Sequence, residues 1–121
     1  MDNMSFALTT EQVRAQTKTV TRRQGWTDAQ PGDIVQPVVK RRGIPKGGHV
    51  EKIGCPIRFL SVDREPITEV HLRPHEVERE GFPDWTPDQF ITFYCKENHV
   101  QPGYLCTRIE FAYTVPKEAA P

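Results

Sequence analysis

The segment TKTVTRRQGW, residues 17–26, places three threonines among three basic side chains. So many β-branched residues favour a strand over a helix, whereas so much charge is unusual in a buried strand. In a regular strand the threonines would share one face, with Lys18, Val20 and Arg22 on the other. A bulge or turn after Lys18 would instead bring Lys18 and Thr21 together. The segment is therefore either a solvated strand or a surface that offers cations and hydroxyls to a ligand.

The charges of the chain balance but are unevenly distributed. The 121 residues include 16 basic and 16 acidic side chains, so the formal net charge is zero. Groups of basic residues lie within 14–23 and 40–46, and acidic residues gather within 65–88. Any affinity for nucleic acid must then come from a local patch, because the whole protein supplies no attractive field. The length fits one domain, predicted over residues 5–115, with flexible termini at 1–4 and 116–121.

We find no sequence signal for a membrane segment, secretion or a metal. No apolar run approaches the roughly 18 residues of a membrane-spanning helix, and the N-terminus lacks an apolar signal segment. Three cysteines do not describe a disulfide framework, so we expect a cytoplasmic protein. Cys95 and His99 are one helical turn apart, but no second pair is spaced to complete a zinc site. We expect no metal and no cofactor.

Local patterns predict three helices and several strands. The segments that begin at Thr9 and Thr86 each carry a capping box, and a short helix is expected within 74–80, ended by Gly81. Pro37 confines its strand to a sheet edge or a bulge. Strands are predicted over residues 17–23, 33–39, 55–65 and 106–115. This order favours the α+β class, as a small, mostly antiparallel β-barrel with short flanking helices.

Four short motifs together resemble those of a known family. They read KTVTRR at 18–23, PGD at 31–33, EREGF at 78–82 and TRIEFAY at 107–113. In this order and spacing they resemble the ASCH domain family, a branch of the PUA-like superfamily, from Phe6 to about Tyr113. The resemblance implies a PUA-like pseudo-barrel with a cleft for RNA, DNA or a single nucleobase.

One enzymatic branch of that family, the small bacterial N4-acetylcytidine amidohydrolases, uses a lysine, a threonine and a glutamate. Its Lys-Thr-x-Thr-x-Arg motif is matched by Lys18, Thr19, Thr21 and Arg23, and its glutamate by Glu80. The resemblance implies Glu80 as general base and Thr21 as nucleophile or water-orienting hydroxyl. Lys18 would then hold the carboxylate or stabilise an oxyanion. Residues 41–50 and 66–78 depart from the compact amidohydrolases and would shape the cleft rim.

Further residues are candidates for ligand binding. Trp26 is suited either to stack on a base or to pack on the rim of the barrel, and the basic loop at 40–42 is suited to phosphate contacts. The predicted binding set comprises Thr19, Arg22, Arg23, Trp26, Lys40, Arg41 and Arg42. We expect a monomer that binds RNA, single-stranded nucleic acid or a modified nucleoside. A metal-independent ribonuclease and a non-catalytic reader of RNA or modified DNA stay open as alternatives.

Overall fold

The computed structural model describes residues 1–40 and 43–117, in which short helices lie between the strands of one sheet. Arg41, Arg42 and residues 118–121 lie outside the described residues. The elements are, in chain order, β1 (Asn3–Ser5), α1 (Thr10–Arg14), β2 (Val20–Arg23), β3 (Ile34–Val38), β4 (Ile57–Pro66), a 3-10 helix (Ile67–His71), α2 (His75–Arg79), α3 (Pro87–Asn98) and β5 (Leu105–Tyr113). The predicted α+β class is confirmed.

The five strands form an open sheet in the order β1-β3-β4-β5-β2. β1 runs parallel to β3, and the other neighbours are antiparallel. β1 and β2 lie at opposite edges of this order, so the sheet is not closed, and the predicted barrel is wrong. The two edge strands have only three and four residues. Each forms a ladder with one neighbouring strand and has little length left to pair with another strand.

The start of the chain belongs to the sheet. Asn3–Ser5 pairs with residues 36–38 of β3, and Met4 has no exposed surface. The predicted flexible terminus is therefore wrong for residues 3 and 4, because backbone pairing and burial of Met4 offset the entropy of ordering them. β1 also makes β3 an interior strand, so Pro37 does not mark a sheet edge. Pro37 lies opposite Met4 in the parallel pair.

β4 and β5 form the longest ladder of the sheet. Their antiparallel register runs from Ile57 opposite Tyr113 to Pro66 opposite Leu105, with a bulge between Phe59 and Ser61. The inward residues Ile57 and Phe59 are almost fully buried. Leu60 is the extra residue of the bulge and is half exposed, because it lies on the opposite face of β4 from Phe59.

The structure agrees with two of the three helix-end signals predicted from the sequence. At α3 the amide of Gln89 donates to Thr86 Oγ1 at 3.2 Å and the amide of Thr86 donates to Gln89 Oε1 at 2.8 Å, so this capping box is confirmed. α2 is followed by Gly81 at φ 108°, as expected for a helix stop. α1 begins where predicted, but the Thr9 side chain makes no capping hydrogen bond, so its capping box is wrong.

The buried apolar side chains form two clusters. One is built on β1, β3, β4 and β5, and the other joins the 3-10 helix, α2 and α3. The first contains Phe6, Phe59 and Phe111, whereas the second contains Phe90 and Tyr94. No helix in the described ranges is long and apolar enough to cross a bilayer.

Candidate functional site

A cleft of about 340 Å³ runs along β2, one of the two edge strands of the sheet. Its walls are the end of β1 with the segment that follows it (residues 5–9), the β2 segment, the turn after α2 and one side of α3. Because β2 is an edge strand, side chains from both of its faces border the cleft. Lys18, Thr21, Arg22, Arg23 and Glu80 all line it. The structure therefore brings the three predicted catalytic residues into one place.

The strand that carries this cleft begins later than predicted. β2 starts at Val20, so Lys18 precedes the regular strand and is not bound by its alternation. The amide of Thr19 donates to the carbonyl of Arg79 at 2.8 Å, and the Lys18 carbonyl accepts from the Tyr113 hydroxyl at 2.6 Å. These bonds fix the backbone around Lys18. Of the two arrangements open from sequence, the structure agrees with the one in which Lys18 and Thr21 border the same cleft.

The Glu80 carboxylate is held by two buried cations. Lys18 Nζ donates to Glu80 Oε1 at 2.8 Å and to the Glu80 carbonyl oxygen at 2.6 Å. Arg22 Nη1 donates to the other carboxylate oxygen, Oε2, at 2.8 Å. All three side chains are nearly inaccessible to solvent. Both oxygens of Glu80 thus already accept a charged hydrogen bond.

Glu76 lies between two arginines that occupy opposite positions on adjacent strands. Arg22 of β2 is paired directly with Arg108 of β5. Glu76 Oε1 accepts from Arg22 Nη2 at 2.7 Å and from Arg108 Nε at 2.6 Å. Like charges in opposite positions of an antiparallel pair destabilise a sheet, and the carboxylate removes that repulsion. Glu76 therefore links α2 to the strands that carry the cleft.

The buried charges balance in number. Among the described residues, three cations and three carboxylates are buried: Lys18, Arg22, Arg108, Glu65, Glu76 and Glu80. Arg22 reaches Glu65 at 3.2 Å as well, and the partly exposed Arg73 binds the same carboxylate at 2.6 Å. Removing one member would leave a buried charge uncompensated, which costs about 3–5 kcal/mol. We call these six residues the ionic cluster.

The ionic cluster shifts the proton affinities of its members in different directions. Burial alone would raise the pKa of Glu76, but the hydrogen bonds and charges of Arg108 and Arg22 outweigh it and lower the pKa to about 2. For Lys18, burial outweighs the attraction of Glu80 and lowers the pKa from 10.5. Burial also opposes the charge of Arg22, yet Glu80, Glu76 and Glu65 hold its pKa above the usual value. Lys18 is thus the cluster's most readily deprotonated cation.

Thr21 presents a hydroxyl beside this cluster. Its Oγ1 accepts a hydrogen bond from Arg23 Nε at 3.2 Å. A hydroxyl that accepts in this way keeps its own proton for donation to a base. The Thr21 side chain and the Lys18 amine line the same cleft, so the site contains a hydroxyl, an amine of lowered pKa and a fixed carboxylate.

Aromatic side chains form the opposite wall. Phe82, Phe90, Phe93 and Tyr94 line the cleft, and Phe82 stacks on Trp85 with ring centres 4.1 Å apart and planes at 8°. Aromatic faces beside hydrogen-bonding groups suit a planar heterocycle. Tyr94 Oη is buried without a hydrogen-bond partner among the described residues. Burial is the main cause of its raised pKa, so the phenol stays protonated at neutral pH.

The remaining predicted binding residues lie elsewhere. Among described residues, Thr19, Trp26 and Lys40 do not line the cleft. The Thr19 hydroxyl accepts from Arg79 Nε, and Trp26 packs edge-on against Phe59 beside a hollow that three aspartates border. Lys40 is exposed after β3. Arg41 and Arg42 lie outside the described residues, so their predicted role has no structural account.

Sequence reasoning missed half of the ionic cluster, namely Glu65, Glu76 and Arg108, and it missed the aromatic wall. Glu76 and Glu80 are one helical turn apart, a spacing that places both on the same side of α2 and could have indicated a shared role. Phe90, Phe93 and Tyr94 follow the helical period, but that pattern does not distinguish a core from a cleft. In the described part of the chain no three side chains of the metal-binding types are placed to share an ion.

Glu76→Gln tests the ionic cluster through the pH dependence of stability. A lowered pKa in the folded state contributes stability above the unfolded value of about 4.5, and this contribution disappears as pH falls towards 2. At neutral pH the variant should lose about 3 kcal/mol of unfolding free energy, since each pKa unit is about 1.4 kcal/mol. Denaturant unfolding at pH 7 and at stepwise lower pH measures the difference, which should shrink below pH 4.5.

The matched control is Glu78→Gln, because Glu78 is an exposed glutamate of the same helix. It should change stability by less than about 0.5 kcal/mol. A loss of unfolding free energy in Glu76→Gln that is equally small, or that is the same at every pH, would contradict the stabilising role of the Glu76 carboxylate.

Tyr94→Phe tests whether the buried phenol is unpartnered. Replacing an unsatisfied hydroxyl by hydrogen removes a desolvation penalty, so the variant should be at least as stable as the wild type. Thermal or denaturant unfolding of the ligand-free protein measures this. A loss of more than about 1 kcal/mol would mean that Tyr94 Oη has a hydrogen-bond partner in solution.

Comparisons with known proteins find relatives by structure alone. No protein-family model matches the sequence, and no curated protein matches it. The crystal structure of an ASCH domain from Lactobacillus crispatus JV V101 is similar, with a TM-score of 0.57 and 16% identity, over 93% of this chain and 78% of that one. Protein EF3133 from Enterococcus faecalis V583, of family model DUF984, gives a TM-score of 0.64 and 15% identity, over 94% and 76%. The chain therefore has an ASCH-like fold.

Proposed function

We propose that the protein binds a nucleobase or nucleoside in the cleft along β2 and hydrolyses the exocyclic amide of an N-acylated cytidine. The observation that carries the proposal is a buried lysine of lowered pKa, Lys18, that lines one cleft with the Thr21 hydroxyl and is fixed by Glu80. A cleft of about 340 Å³ falls within the range of small-molecule sites. The ASCH-like fold and the motif at residues 18–23 support the same ligand class.

The geometry favours Lys18 over Glu80 as the proton acceptor. Each oxygen of Glu80 already accepts a hydrogen bond from a cation, which commits both oxygens within the ionic cluster. Lys18 has a lowered pKa, so it populates the neutral amine at lower pH than an exposed lysine. Glu80 then acts by holding the amine in place. This assignment reverses the roles that the sequence suggested for these two residues.

The reaction follows with balanced protons. Thr21 Oγ adds to the acyl carbonyl carbon while its proton passes to the neutral Lys18 amine. The C–N bond then breaks, and the Lys18 ammonium returns the proton to the departing N4 amine. Water attacks the acyl-threonine ester, its proton again passing through Lys18 to Thr21 Oγ as the ester C–O bond breaks. Amide and water become cytidine and a carboxylic acid.

The aromatic wall supplies the binding energy in this scheme. A planar base can lie against Phe82 or Phe93, and such stacking contributes roughly 1–3 kcal/mol per base. The charges of the ionic cluster are compensated internally, so the cleft suits the polar edges of a base. Arg22, whose guanidinium binds three carboxylates, is already committed within the protein.

The test is a chromatographic assay of cytidine release from N4-acetylcytidine. Wild type should convert it, and Lys18→Ala should lower kcat/KM by at least about a hundredfold. Lys96→Ala is the matched control, since Lys96 is exposed on α3, and it should retain full activity. Unfolding curves must first show that each variant is folded.

The pH profile of the same reaction separates the two assignments of the base. If neutral Lys18 is the acceptor, kcat/KM rises with pH through the Lys18 pKa. Glu80 raises that pKa, so Glu80→Gln should lower it further and move the rise to lower pH. If Glu80→Gln shows no measurable turnover at any pH but binds the ligand as tightly as the wild type, Glu80 is instead the base.

A non-catalytic nucleobase reader is the second candidate. The observation that favours it is the saturation of Glu80 by Lys18 and Arg22, which makes the cluster a rigid support for a binding cleft. A folded protein that binds cytidine or single-stranded RNA without converting any substrate would establish this function. Phe93→Ala should then weaken binding, because Phe93 lines the cleft.

A further inference from the structure

Arg23 lies where the two free edges of the sheet approach the cleft. It is the last residue of β2, and its Nη2 donates to the carbonyl oxygen of Ser5, the last residue of β1, at 2.5 Å. The sheet order places these strands at opposite edges, with no backbone ladder between them among the described residues. The contact from Arg23 to Ser5 is thus a side-chain link between the sheet edges.

Two further contacts fix the plane of the guanidinium. Its central carbon lies 4.5 Å from the centre of the Phe6 ring, a cation–π arrangement. Its Nε donates to Thr21 Oγ1 at 3.2 Å. Phe6 is itself buried and packs against Phe111, so the ring under the guanidinium is part of the core. The rigid fork of arginine therefore joins β1, the core and Thr21 at once.

The Nε contact determines how Thr21 can present its hydroxyl. Nε carries one hydrogen, which lies in the guanidinium plane, and that plane is set by Ser5 and Phe6. Thr21 Oγ1 accepts this hydrogen only from one direction, so a single χ1 rotamer of the threonine is favoured. The hydroxyl proton then points away from Arg23. The reaction rate depends strongly on the position of such a hydroxyl, because a displacement of about 1 Å can lower the rate a hundredfold.

We propose that Arg23 is a positioning residue that joins the two sheet edges at the cleft and holds the Thr21 hydroxyl in one rotamer. This differs from the ligand-binding role expected from sequence. Its effect on turnover rests on the proposed function, whereas its effect on the Thr21 rotamer does not. The two can therefore be measured separately.

Arg23→Lys is the informative substitution. It keeps the positive charge, but an ammonium lacks the planar fork and cannot serve Ser5, Phe6 and Thr21 in the same geometry. Three-bond couplings from the Thr21 methyl carbon to its backbone nitrogen and carbonyl carbon report χ1 by NMR. The wild type should show couplings of one rotamer, and Arg23→Lys should show averaged values. With N4-acetylcytidine, kcat should fall at least tenfold while KM stays within twofold.

Arg64→Lys is the matched control. Arg64 also donates to a backbone carbonyl, that of Leu105, but it is exposed and does not line the cleft. It should leave the Thr21 couplings and turnover unchanged. If Arg23→Lys fails to fold, Phe6→Leu serves instead, because it removes the ring beneath the guanidinium and should also average the couplings.

Each outcome decides the proposal. Unchanged Thr21 couplings in folded Arg23→Lys would overturn it. A rise in KM with kcat unchanged would also overturn it, since Arg23 would then contact the ligand directly. If the wild type converts no N-acylated cytidine, the proposed function fails, and the couplings alone decide whether Arg23 positions Thr21.

Discussion

The placement of the Glu76 carboxylate between Arg22 and Arg108 is the contact on which the site depends. These arginines oppose each other in the β2–β5 ladder, and neither can be buried there without a shared anion. Docking α2 against the sheet supplies that anion and fixes Arg22. Arg22 in turn holds one oxygen of Glu80, and the other oxygen holds Lys18. The position of the cleft lysine thus follows from a contact two side chains away.

The same chain of contacts explains why the charges of the ionic cluster differ in reactivity. Arg22 binds three carboxylates and Glu76 accepts from several arginines, so both are locked in their charged forms. Lys18 is the last residue in this series of contacts. Its amine pairs with one carboxylate, that of Glu80, which also pairs with Arg22. Among the three buried cations of the ionic cluster, burial therefore lowers the pKa of Lys18, whereas the carboxylates hold those of Arg22 and Arg108 above the usual value. A balanced cluster can in this way stabilise the fold and still leave one exchangeable proton beside a hydroxyl.

Local features of the fold were predictable from the sequence, and long-range ones were not. The capping box at Thr86 depends on residues three positions apart, so the sequence contains all of its chemistry. β1 could not be foreseen, because three residues with one buried methionine carry no period. The barrel was wrong for a related reason, since closure depends on whether the edge strands are long enough to pair. The local sequence pattern of either edge strand does not indicate whether the two strands can pair.

The candidate site shows the same division. Family resemblance brought together Lys18, Thr21 and Glu80, which are separated by up to 62 positions. Arg22 was expected to meet a ligand, but a single sequence does not reveal that three glutamates converge on it. Their pairing depends on how α2 docks on the sheet and on how β5 aligns β4 with β2. The role of Glu76 lay outside sequence reasoning because its partners lie 32 and 54 positions away.

The most direct test of this account is the titration of the Lys18 amine, followed by NMR of its ε-carbon in the folded protein. Exposed lysines such as Lys96 provide the internal reference. We expect a Lys18 pKa below 10.5, because burial outweighs the attraction of the shared carboxylate, and a further decrease in Glu80→Gln. A Lys18 pKa at or above 10.5 would contradict it. Lys18 would then be a permanent cation that braces Glu80, and the cleft would have no neutral amine to accept the threonine proton.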